Sequence, residues 1–475
     1  MVHSTHLGDR PPIYKIDLSL PPAERYIELA SIYRIQLRSI SHIFDDLVSS
    51  IHPNIPLGLV HKLARLCMRR LYTSEETEEI RGISKATDIP LYLLVAFNVL
   101  LDLLMGCTSG GVRVKPHRDA TETKMLHFRT LDWGMDALRE LVVQLDYVRG
   151  PDTEKVLARS ITYVGFVGVL TGVRKDLSLS LNFRPTHNVV SWVSNFFFYA
   201  NHLLVLFGIR PSIASLLRQY IVPELNDKES QEHQTVLHME EKYGPESQAP
   251  SLVKIESTLP SIPTTAAYLI FSDGISTLTM EKDYRSAVIR SSTSFIVTTN
   301  NDLEPDTPPT EQVAAQKRKT HAGLGVIAGE TQSVADIIED SNERRDCMQK
   351  NWDKKVHREQ QRRATTSQFG RNHRSGDEKL HSMKEKRYST RSSKKSQSLQ
   401  SYTRLRGSPI REMNTIKATK FDDESVSATP KEAIKWLSGW PVTNETTHYA
   451  MLMDPTEGEI IWIKRYLEPV DLYSS

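Results

Sequence analysis

The sequence Gly106-Cys107-Thr108-Ser109-Gly110-Gly111 marks the point at which the character of the chain changes. Apolar residues recur at helical spacing before it, and short β-branched or aromatic runs follow it. A cysteine at such a junction is a candidate nucleophile, because a thiolate attacks carbonyl carbon readily. Taken alone the signal is weak, since a single cysteine in apolar surroundings is usually a core residue.

The segment 125–134 supplies two charged companions for Cys107. It reads Met-Leu-His-Phe-Arg-Thr-Leu-Asp-Trp-Gly, which predicts a strand that runs into a turn. Arg129 and Asp132 lie near the end of that strand. A structural ion pair at the strand end is the alternative interpretation of these two residues.

The order of predicted elements favours an α+β fold in which helices cover antiparallel sheets. Residues 11–18 alternate like a strand, and helical spacing runs from Ala23 to about Leu104, with a break predicted at Arg81-Gly82. Helical patterns return between about 190 and 225. Strands are predicted over 125–128, 142–148, 161–169, 177–181, 266–271, 276–280, 287–289 and 295–299, and a terminal hairpin over 449–453 and 459–463.

Three stretches read as insertions between these elements. Residues 226–250 are rich in Glu, Gln and His, and residues 304–329 are rich in Pro, Thr and Lys. The third, 354–429, contains few large apolar residues, so we expect it to be disordered. Its part from 354 to 411 holds 17 Lys and Arg against 4 Asp and Glu, which leaves an acidic body beside a basic segment although the chain's net charge is only +2.

Composition excludes several classes of protein. The chain has 3 cysteines, so no disulfide framework is expected. The first 25 or so residues are polar, which predicts a cytoplasmic protein, or a lysosomal or vacuolar one if the true start lies upstream. The apolar stretches 91–105 and 192–209 are interrupted by polar residues and predict buried or interfacial segments rather than membrane spans. His127 and His202 lack partners at ligand spacing, so neither a metal nor a cofactor is expected.

The ordered set of motifs resembles the acid ceramidase and N-acylethanolamine acid amidase family. The central likeness is Cys-Thr-Ser at 107–109, followed by Arg-x-x-Asp at 129–132 and an aromatic-Gly pair. Further likenesses follow in the family's order: residues 11–18, Glu79-Ile80-Arg81-Gly82-Ile83, the segment 165–172, 265–270, Thr299-Asn300-Asn301-Asp302 and Glu343-Arg344-Arg345. The resemblance covers about 11–303, 335–352 and 433–465.

The resemblance implies a four-layer αββα N-terminal-nucleophile hydrolase sandwich with a helical N-terminal subunit. Residues 1–106 would become the alpha subunit after self-cleavage, and residues 107–353 would form the hydrolase core. The basic segment 354–429 would be an insert, and residues 430–475 would add the last strands of the core. The product would be an alpha/beta heterodimer from one precursor.

The resemblance also implies a role for each site residue. Cys107 would cut the bond before it, and its new α-amine, with a pKa of about 8, would then serve as the base for its thiol. Asp132 would orient that amine, and Arg129 would place positive charge beside the sulfur. Asn300 would donate to the oxyanion, and Arg344 would lie behind the site as a further cation.

Structural alternatives stay open for the last two residues. Asn300 lies in Thr-Asn-Asn-Asp, which is also good turn chemistry. Arg344 lies in a charged run, which is also typical of a solvated helix face. The sequence departs from the family at Asn182-Phe183, where the family usually has a glutamate after the asparagine, and this puts efficient self-cleavage in doubt.

The implied function is hydrolysis of the fatty-acyl amide of ceramide to sphingosine and free fatty acid. An N-acylethanolamine amidase is the alternative within that chemistry. A processing-deficient relative that binds lipid or a partner without turnover is an alternative of another class, and display of the basic insert as an interaction module is a third. The expected partner is an N-acyl lipid, with peripheral contact to a lipid surface and no nucleic acid.

Overall fold

The computed structural model shows an α+β protein whose chain forms two units, residues 1–352 with 427–475 and residues 353–426. Every strand within the described residues belongs to the first unit. The residues that the structure describes are 9–51, 56–100, 106–117, 120–150, 155–188, 191–222, 251–303, 319–321, 334–382 and 426–470.

Helices dominate the chain ahead of Cys107, as the apolar spacing predicts. A strand, β1, comes first, and a short 3-10 turn at Pro22–Glu24 precedes the helices. The helices are α1 (Ile27–Ile32), α2 (Arg34–Leu37), α3 (Ser39–Ile51), α4 (Leu57–Cys67), α5 (Ser74–Thr87) and α6 (Leu91–Leu100). Later helices are α7 (Trp192–Leu206), α8 (Ile213–Ile221), α9 (Leu252–Thr258), α10 (Val334–Ser382) and α11 (Pro430–Leu437).

The strands form two large sheets and one small ribbon. They are β1 (Ile13–Asp17), β2 (Gly106–Val114), β3 (Lys124–Asp132), β4 (Val142–Val148), β5 (Ala158–Tyr163), β6 (Thr171–Arg174), β7 (Leu177–Phe183), β8 (Thr186–Asn188), β9 (Ala267–Ser272), β10 (Thr277–Lys282), β11 (Ala287–Ser292), β12 (Phe295–Thr298), β13 (Lys319–His321), β14 (Thr447–Asp454) and β15 (Glu459–Arg465). The orders are β1-β4-β5-β6-β7-β9-β10-β11, β12-β2-β3-β14-β15 and β13-β8. Apart from β1, which lies parallel to β4, the paired strands are antiparallel.

The two large sheets pack face to face. Alternate residues of each strand point to opposite sides, so each sheet has an inner face toward the other sheet and an outer face. His127 points inward from β3, and its ring nitrogens lie 2.9 and 2.8 Å from the hydroxyls of Ser178 and Ser180 on β7. Its neighbour Phe128 points outward and stacks on Phe295 with 6.0 Å between ring centroids. Both inner faces are therefore buried against each other.

Helices cover both outer faces. Beyond the five-stranded sheet, Trp352 of α10 stacks on Phe295 with 5.2 Å between ring centroids. Beyond the eight-stranded sheet, Asn98 of α6 accepts a hydrogen bond from Val167 N at 2.7 Å and donates to Gly165 O at 2.9 Å. The first unit thus has the four layers αββα, which confirms the predicted fold.

Buried contacts also join the N-terminal segment to the rest of the first unit. The carboxylate of Glu79 on α5 is fully buried and accepts from Arg25 and from Arg218 on α8. Such a fully paired buried carboxylate avoids the large cost of an isolated charge. Together with the β1–β4 pairing, this cluster connects residues on the two sides of the Gly106–Cys107 bond.

The predicted break at Arg81-Gly82 is wrong, because α5 continues through both residues and ends at Thr87. Gly82 instead permits close packing. A Cβ atom on Gly82 would lie 1.9 Å from the carbonyl oxygen of Ala23, in the 3-10 turn. Asp88, the residue that caps the C-terminus of α5, adopts the left-handed conformation with φ of 61°.

The predicted strand at 161–169 is too long. β5 ends at Tyr163, and residues 164–170 form a turn before β6. Gly165 has φ of 91°, a conformation that glycine adopts without a steric cost. The segment 165–172 therefore provides a turn and a strand start rather than the close-packed strands that the sequence predicted.

The structure differs from the sequence prediction over part of the basic segment. Disorder was expected from residue 354, whereas α10 continues to Ser382. Lys, Arg, Glu and Gln favour helix, and Glu359 pairs with Lys355 at 3.7 Å and with Arg362 at 3.3 Å. Residues 383–425, the predicted insertion at 226–250, and most of the one at 304–329 lie outside the described residues. The predicted terminal hairpin is confirmed by β14 and β15.

We predict that Gly82→Ala lowers the free energy of unfolding by about 1–3 kcal/mol, because the new methyl group must displace the backbone at Ala23. Gly58→Ala is the matched control. Gly58 also lies in a helix, and among the described residues no atom beyond its chain neighbours and its own helix backbone lies within 4 Å of the Cβ it would gain. Urea unfolding at one pH measures both variants, and equal stabilities would contradict the packing role of Gly82.

Candidate active site

Cys107 lies near the start of β2, an interior strand of the five-stranded sheet between β12 and β3. It pairs with Leu131 of β3, and its side chain points inward between the two sheets. The side chain is fully buried, and the Gly106–Cys107 peptide bond forms part of the strand. The structure therefore describes the uncut chain with its candidate nucleophile enclosed.

Glycines allow β2 to occupy this crowded position. A Cβ atom on Gly110 would lie 2.0 Å from the carbonyl oxygen of Ile296 on β12. A Cβ atom on Gly111 would lie 2.0 Å from the hydroxyl oxygen of Thr277 on β10. These glycines thus let β2 approach β12 in its own sheet and β10 in the facing sheet.

The sulfur of Cys107 faces one cation. Arg129 Nη2 donates to Sγ at 3.4 Å, and Sγ lies 3.8 Å from the carbonyl oxygen of Leu181 on β7. Burial raises the pKa of the thiol to about 11, because the site disfavours a charged sulfur more than the nearby Arg129 stabilises it. In the uncut chain Cys107 is accordingly a neutral thiol at neutral pH.

Arg129 is held in place by β7. Its Nη1 donates to Leu181 O at 2.7 Å and to Asn182 Oδ1 at 3.4 Å. Asn182 also accepts from Ser109 Oγ at 2.7 Å and donates to Thr298 O at 3.0 Å. Asn182 therefore links β7 to both β2 and β12, which fixes the guanidinium against the sulfur.

Asp132 and Arg344 lie on the other face of the five-stranded sheet. Arg344 Nη1 donates to Asp132 Oδ2 at 2.9 Å, and Thr447 Oγ1 donates to Asp132 Oδ1 at 2.7 Å. Burial raises the pKa of the Asp132 carboxyl to about 6, against the opposing effect of Arg344. Asp132 pairs with Gly106 in the β2–β3 ladder, so the carboxylate lies beside the bond that precedes Cys107.

Asn300 joins the two faces. Its Oδ1 accepts from the backbone N–H of Cys107 at 2.8 Å and from Arg344 Nη2 at 3.1 Å. Its Nδ2 donates to the carbonyl oxygen of Phe183 at 2.8 Å. In the uncut chain, Asn300 Oδ1 thus receives the Cys107 N–H, whereas the sequence assigned the amine to Asp132.

The structure therefore brings all of the predicted site residues into one cluster, and each is buried. Cys107 and Arg129 lie between the sheets, Asp132 and Arg344 lie on the outer face, and Asn300 lies at the boundary. Arg344 is fully buried on α10, so the alternative of a solvated helix face is wrong. The chemical roles of these residues remain predictions.

Sequence reasoning missed Asn182 and Thr447 as site residues. A signal for Asn182 was present, because β7 reads Leu-Ser-Leu-Ser-Leu-Asn-Phe. Its polar residues recur at the strand period of two, and a wholly buried strand with this alternation needs polar partners on one face. Phe183, which stands where the family usually has a glutamate, is buried and contributes its main-chain carbonyl to Asn300.

A cavity elsewhere in the first unit does not serve Cys107. It is lined by residues that include Glu76, Asn98, Arg210 and Ser215. These lie on the helical side of the eight-stranded sheet, whereas Cys107 lies on the other side of that sheet. Within the described ranges, no three His, Cys, Asp or Glu side chains converge as metal ligands would.

Comparisons with known proteins match the resemblance. Residues 9–72 match a family model described as the beta subunit of N-acylethanolamine-hydrolyzing acid amidase. That description uses "beta" for a stretch within the segment that the sequence prediction labelled alpha. The chain is also similar to curated proteins named acid ceramidase, and it spans about half their length.

The similarity to those proteins is consistent across mammals. The acid ceramidase of Heterocephalus glaber is 30% identical over 198 residues, 37% of this chain and 46% of that protein. The Homo sapiens protein is 29% identical over 206 residues, 38% of this chain and 49% of that protein. A solved Caenorhabditis elegans N-acylethanolamine-hydrolyzing acid amidase ortholog is 15% identical, with a TM-score of 0.36 over 74% of this chain and 93% of that one.

The raised pKa of Asp132 predicts a pH-dependent stability. The pKa of the Asp132 carboxyl is about 6 in the folded protein and about 3.8 in the unfolded chain, so the folded protein binds the proton more tightly. Protonation of Asp132 therefore adds to the free energy of unfolding, and this contribution is fully present below about pH 3.8. This contribution is lost as the pH rises from about 4 to about 6, at about 1.4 kcal/mol per pH unit. We expect Asp132→Asn to remove this slope from a urea-unfolding series, and parallel pH profiles for the two proteins would contradict the assignment.

Proposed function

We propose that the chain is a member of the acid ceramidase and N-acylethanolamine acid amidase family and acts as a self-processing cysteine amidohydrolase of N-acyl lipids. One observation carries the proposal. The Cys107 sulfur lies 3.4 Å from a buried guanidinium, and Asn300 binds the nitrogen of the bond to be cut at 2.8 Å. A nucleophile, a cation beside it and a contact to the scissile nitrogen are thus assembled around one peptide bond.

Self-cleavage would begin with attack of the Cys107 sulfur on the carbonyl carbon of Gly106. The carbon–nitrogen bond breaks, the nitrogen takes the thiol proton, and residue 106 is held as a thioester. Water then hydrolyses the thioester, which releases a carboxylate at Gly106 and restores the thiol. Arg129 favours the developing negative charge on sulfur, while Asn300 Oδ1 holds the departing nitrogen.

The freed α-amine of Cys107 would then act in turnover. Its pKa of about 8 suits a base that takes the thiol proton and later gives it to the leaving amine. The acyl group would pass to sulfur as a thioester and leave as a free fatty acid after attack by water. Asp132 and Arg344 are grouped beside Gly106, where a carboxylate can orient the amine.

Ceramide is the substrate that we propose first, and an N-acylethanolamine the second. The curated relatives are named acid ceramidase, whereas the family model is named for the N-acylethanolamine enzyme. The two substrates share the fatty-acyl amide and differ in the head group. A processing-deficient binding protein is the alternative that Phe183 favours, since no carboxylate stands at that position.

Mass spectrometry and N-terminal sequencing test this proposal. We expect wild-type protein incubated between about pH 4.5 and 8 to yield a fragment that begins at Cys107, and Cys107→Ala to stay uncut, because the variant lacks the thiol that attacks the Gly106 carbonyl. The cut protein should release fatty acid from ceramide faster than from an N-acylethanolamine. A wild-type chain that stays uncut and inactive throughout would favour the non-catalytic alternative.

We further propose that α7 contacts a membrane surface. Its exposed apolar side chains include Trp192, Phe196 and Leu203, which are 81%, 63% and 56% exposed. Proteins rarely expose an apolar surface of this kind without a partner. Among the described helices, none combines the length and apolar character needed to cross a bilayer.

Charge selects the kind of membrane. The turn after α7 packs against the chain after α4, where a Cβ on Gly208 would lie 2.7 Å from Arg70 O. The cations Lys62, Arg65, Arg69 and Arg70 are exposed on and just after α4. Exposed cations beside an apolar helix fit an anionic lipid surface.

We predict that Phe196→Asp combined with Leu203→Asp weakens binding to phosphatidylserine-containing vesicles by about tenfold or more, because each places a charge where an apolar side chain would enter the lipid. Co-sedimentation measures the binding. Ile275→Asp is the matched control, since Ile275 is 76% exposed but lies in the turn between β9 and β10. An equal loss in the control, or none in either protein, would contradict the proposed surface.

A further inference from the structure

Ser341 lies in the buried contact between α10 and the residues that follow β12. The backbone N–H of Asn300 donates to Ser341 Oγ at 2.8 Å. Ser341 Oγ in turn donates to Thr299 Oγ1, also at 2.8 Å. Ser341 and Thr299 are both fully buried.

The same helix holds the Asn300 side chain. Arg344 lies three residues after Ser341, so the two share a helix face. Arg344 Nη2 donates to Asn300 Oδ1 at 3.1 Å, while Ser341 receives the Asn300 backbone. Asn301 Nδ2 also donates to Asn342 Oδ1 at 3.0 Å. α10 therefore binds the backbone and side chain of this segment together.

Asn300 needs such a support because the β12–β2 ladder stops before it. The last paired residues are Thr298 and Ser109. Beyond them, Asn300 reaches Cys107 N through its side chain rather than through the strand backbone. A displacement of about 1 Å at a catalytic contact is enough to slow a reaction by about a hundredfold.

We infer that Ser341 is a positioning residue for the cysteine chemistry. It fixes the Asn300 backbone, and through it the amide side chain between Cys107 N and Phe183 O. It touches neither the sulfur nor the scissile bond. This inference rests on the proposed function, because Asn300 has a catalytic part only if the chain cuts amide bonds.

The first test is a double-mutant cycle on cut protein. Ser341→Ala should lower kcat for the N-acyl lipid by about tenfold or more, with KM little changed. In an Asn300→Ala background, Ser341→Ala should lower kcat no further, since the two residues act as one unit. Additive losses, or a KM effect alone, would overturn the inference.

A second measurement does not depend on turnover. Amide hydrogen exchange on the uncut Cys107→Ala protein should show faster exchange at Asn300 and at residue 107 when Ser341→Ala is added. Ser215→Ala is the matched control, because Ser215 is also a buried helical serine but donates to Glu76. Unchanged exchange at Asn300 and residue 107 would overturn the inference. If the wild-type protein is inactive while the Cys107→Ala protein shows the exchange effect, the proposed function is rejected and Ser341 remains a positioning residue of Asn300.

Discussion

The burial of β2 on both faces is the constraint on which the site depends. β2 lies inside the five-stranded sheet, and from Cys107 onward its residues are buried, so each polar group beside it must find a partner within the protein. Gly110 and Gly111 permit the close approach, and Asn182 and Asn300 supply the partners on either side. Arg129 meets the same requirement, because its buried guanidinium donates to the backbone of β7 while it lies beside the sulfur.

Alternation along β2 and β3 divides the site into two compartments. The sulfur and Arg129 lie between the sheets, where burial keeps the thiol neutral. Asp132 and Arg344 lie outside the five-stranded sheet and form a buried ion pair. The nitrogen of Cys107 lies at the boundary, so opening the bond before it would create an amine that can reach both compartments. The proposed cut therefore connects groups that the strand keeps apart.

Local pattern predicted the helices ahead of Cys107, most strands and the terminal hairpin, because each depends on periodicity within a few residues. Local pattern gave wrong or missing predictions where the role of a residue depends on a partner far away in the sequence. Gly82 predicts a helix break from local pattern alone, whereas in the structure it makes room for the Ala23 carbonyl. The hydrogen bond between Cys107 N and Asn300 Oδ1 joins residues 193 positions apart in the sequence. The family resemblance, rather than periodicity, predicted that the two residues would meet. The sequence assigned no role to Asn182 or Ser341, because both act through contacts with residues far away in the chain.

The pairing of β1 with β4 and the burial of Glu79 between Arg25 and Arg218 cross the point of the proposed cut. Opening the Gly106–Cys107 bond would remove none of these contacts, so the two chains would stay together. Refolding after denaturation would differ between the cut protein and the uncut precursor. Once unfolded, two separate polypeptides must find each other, and recovery then depends on concentration, whereas the precursor folds as one molecule. The Gly106–Cys107 peptide bond would therefore act as an internal chaperone, since it holds the two segments together during folding and is cut after they have assembled.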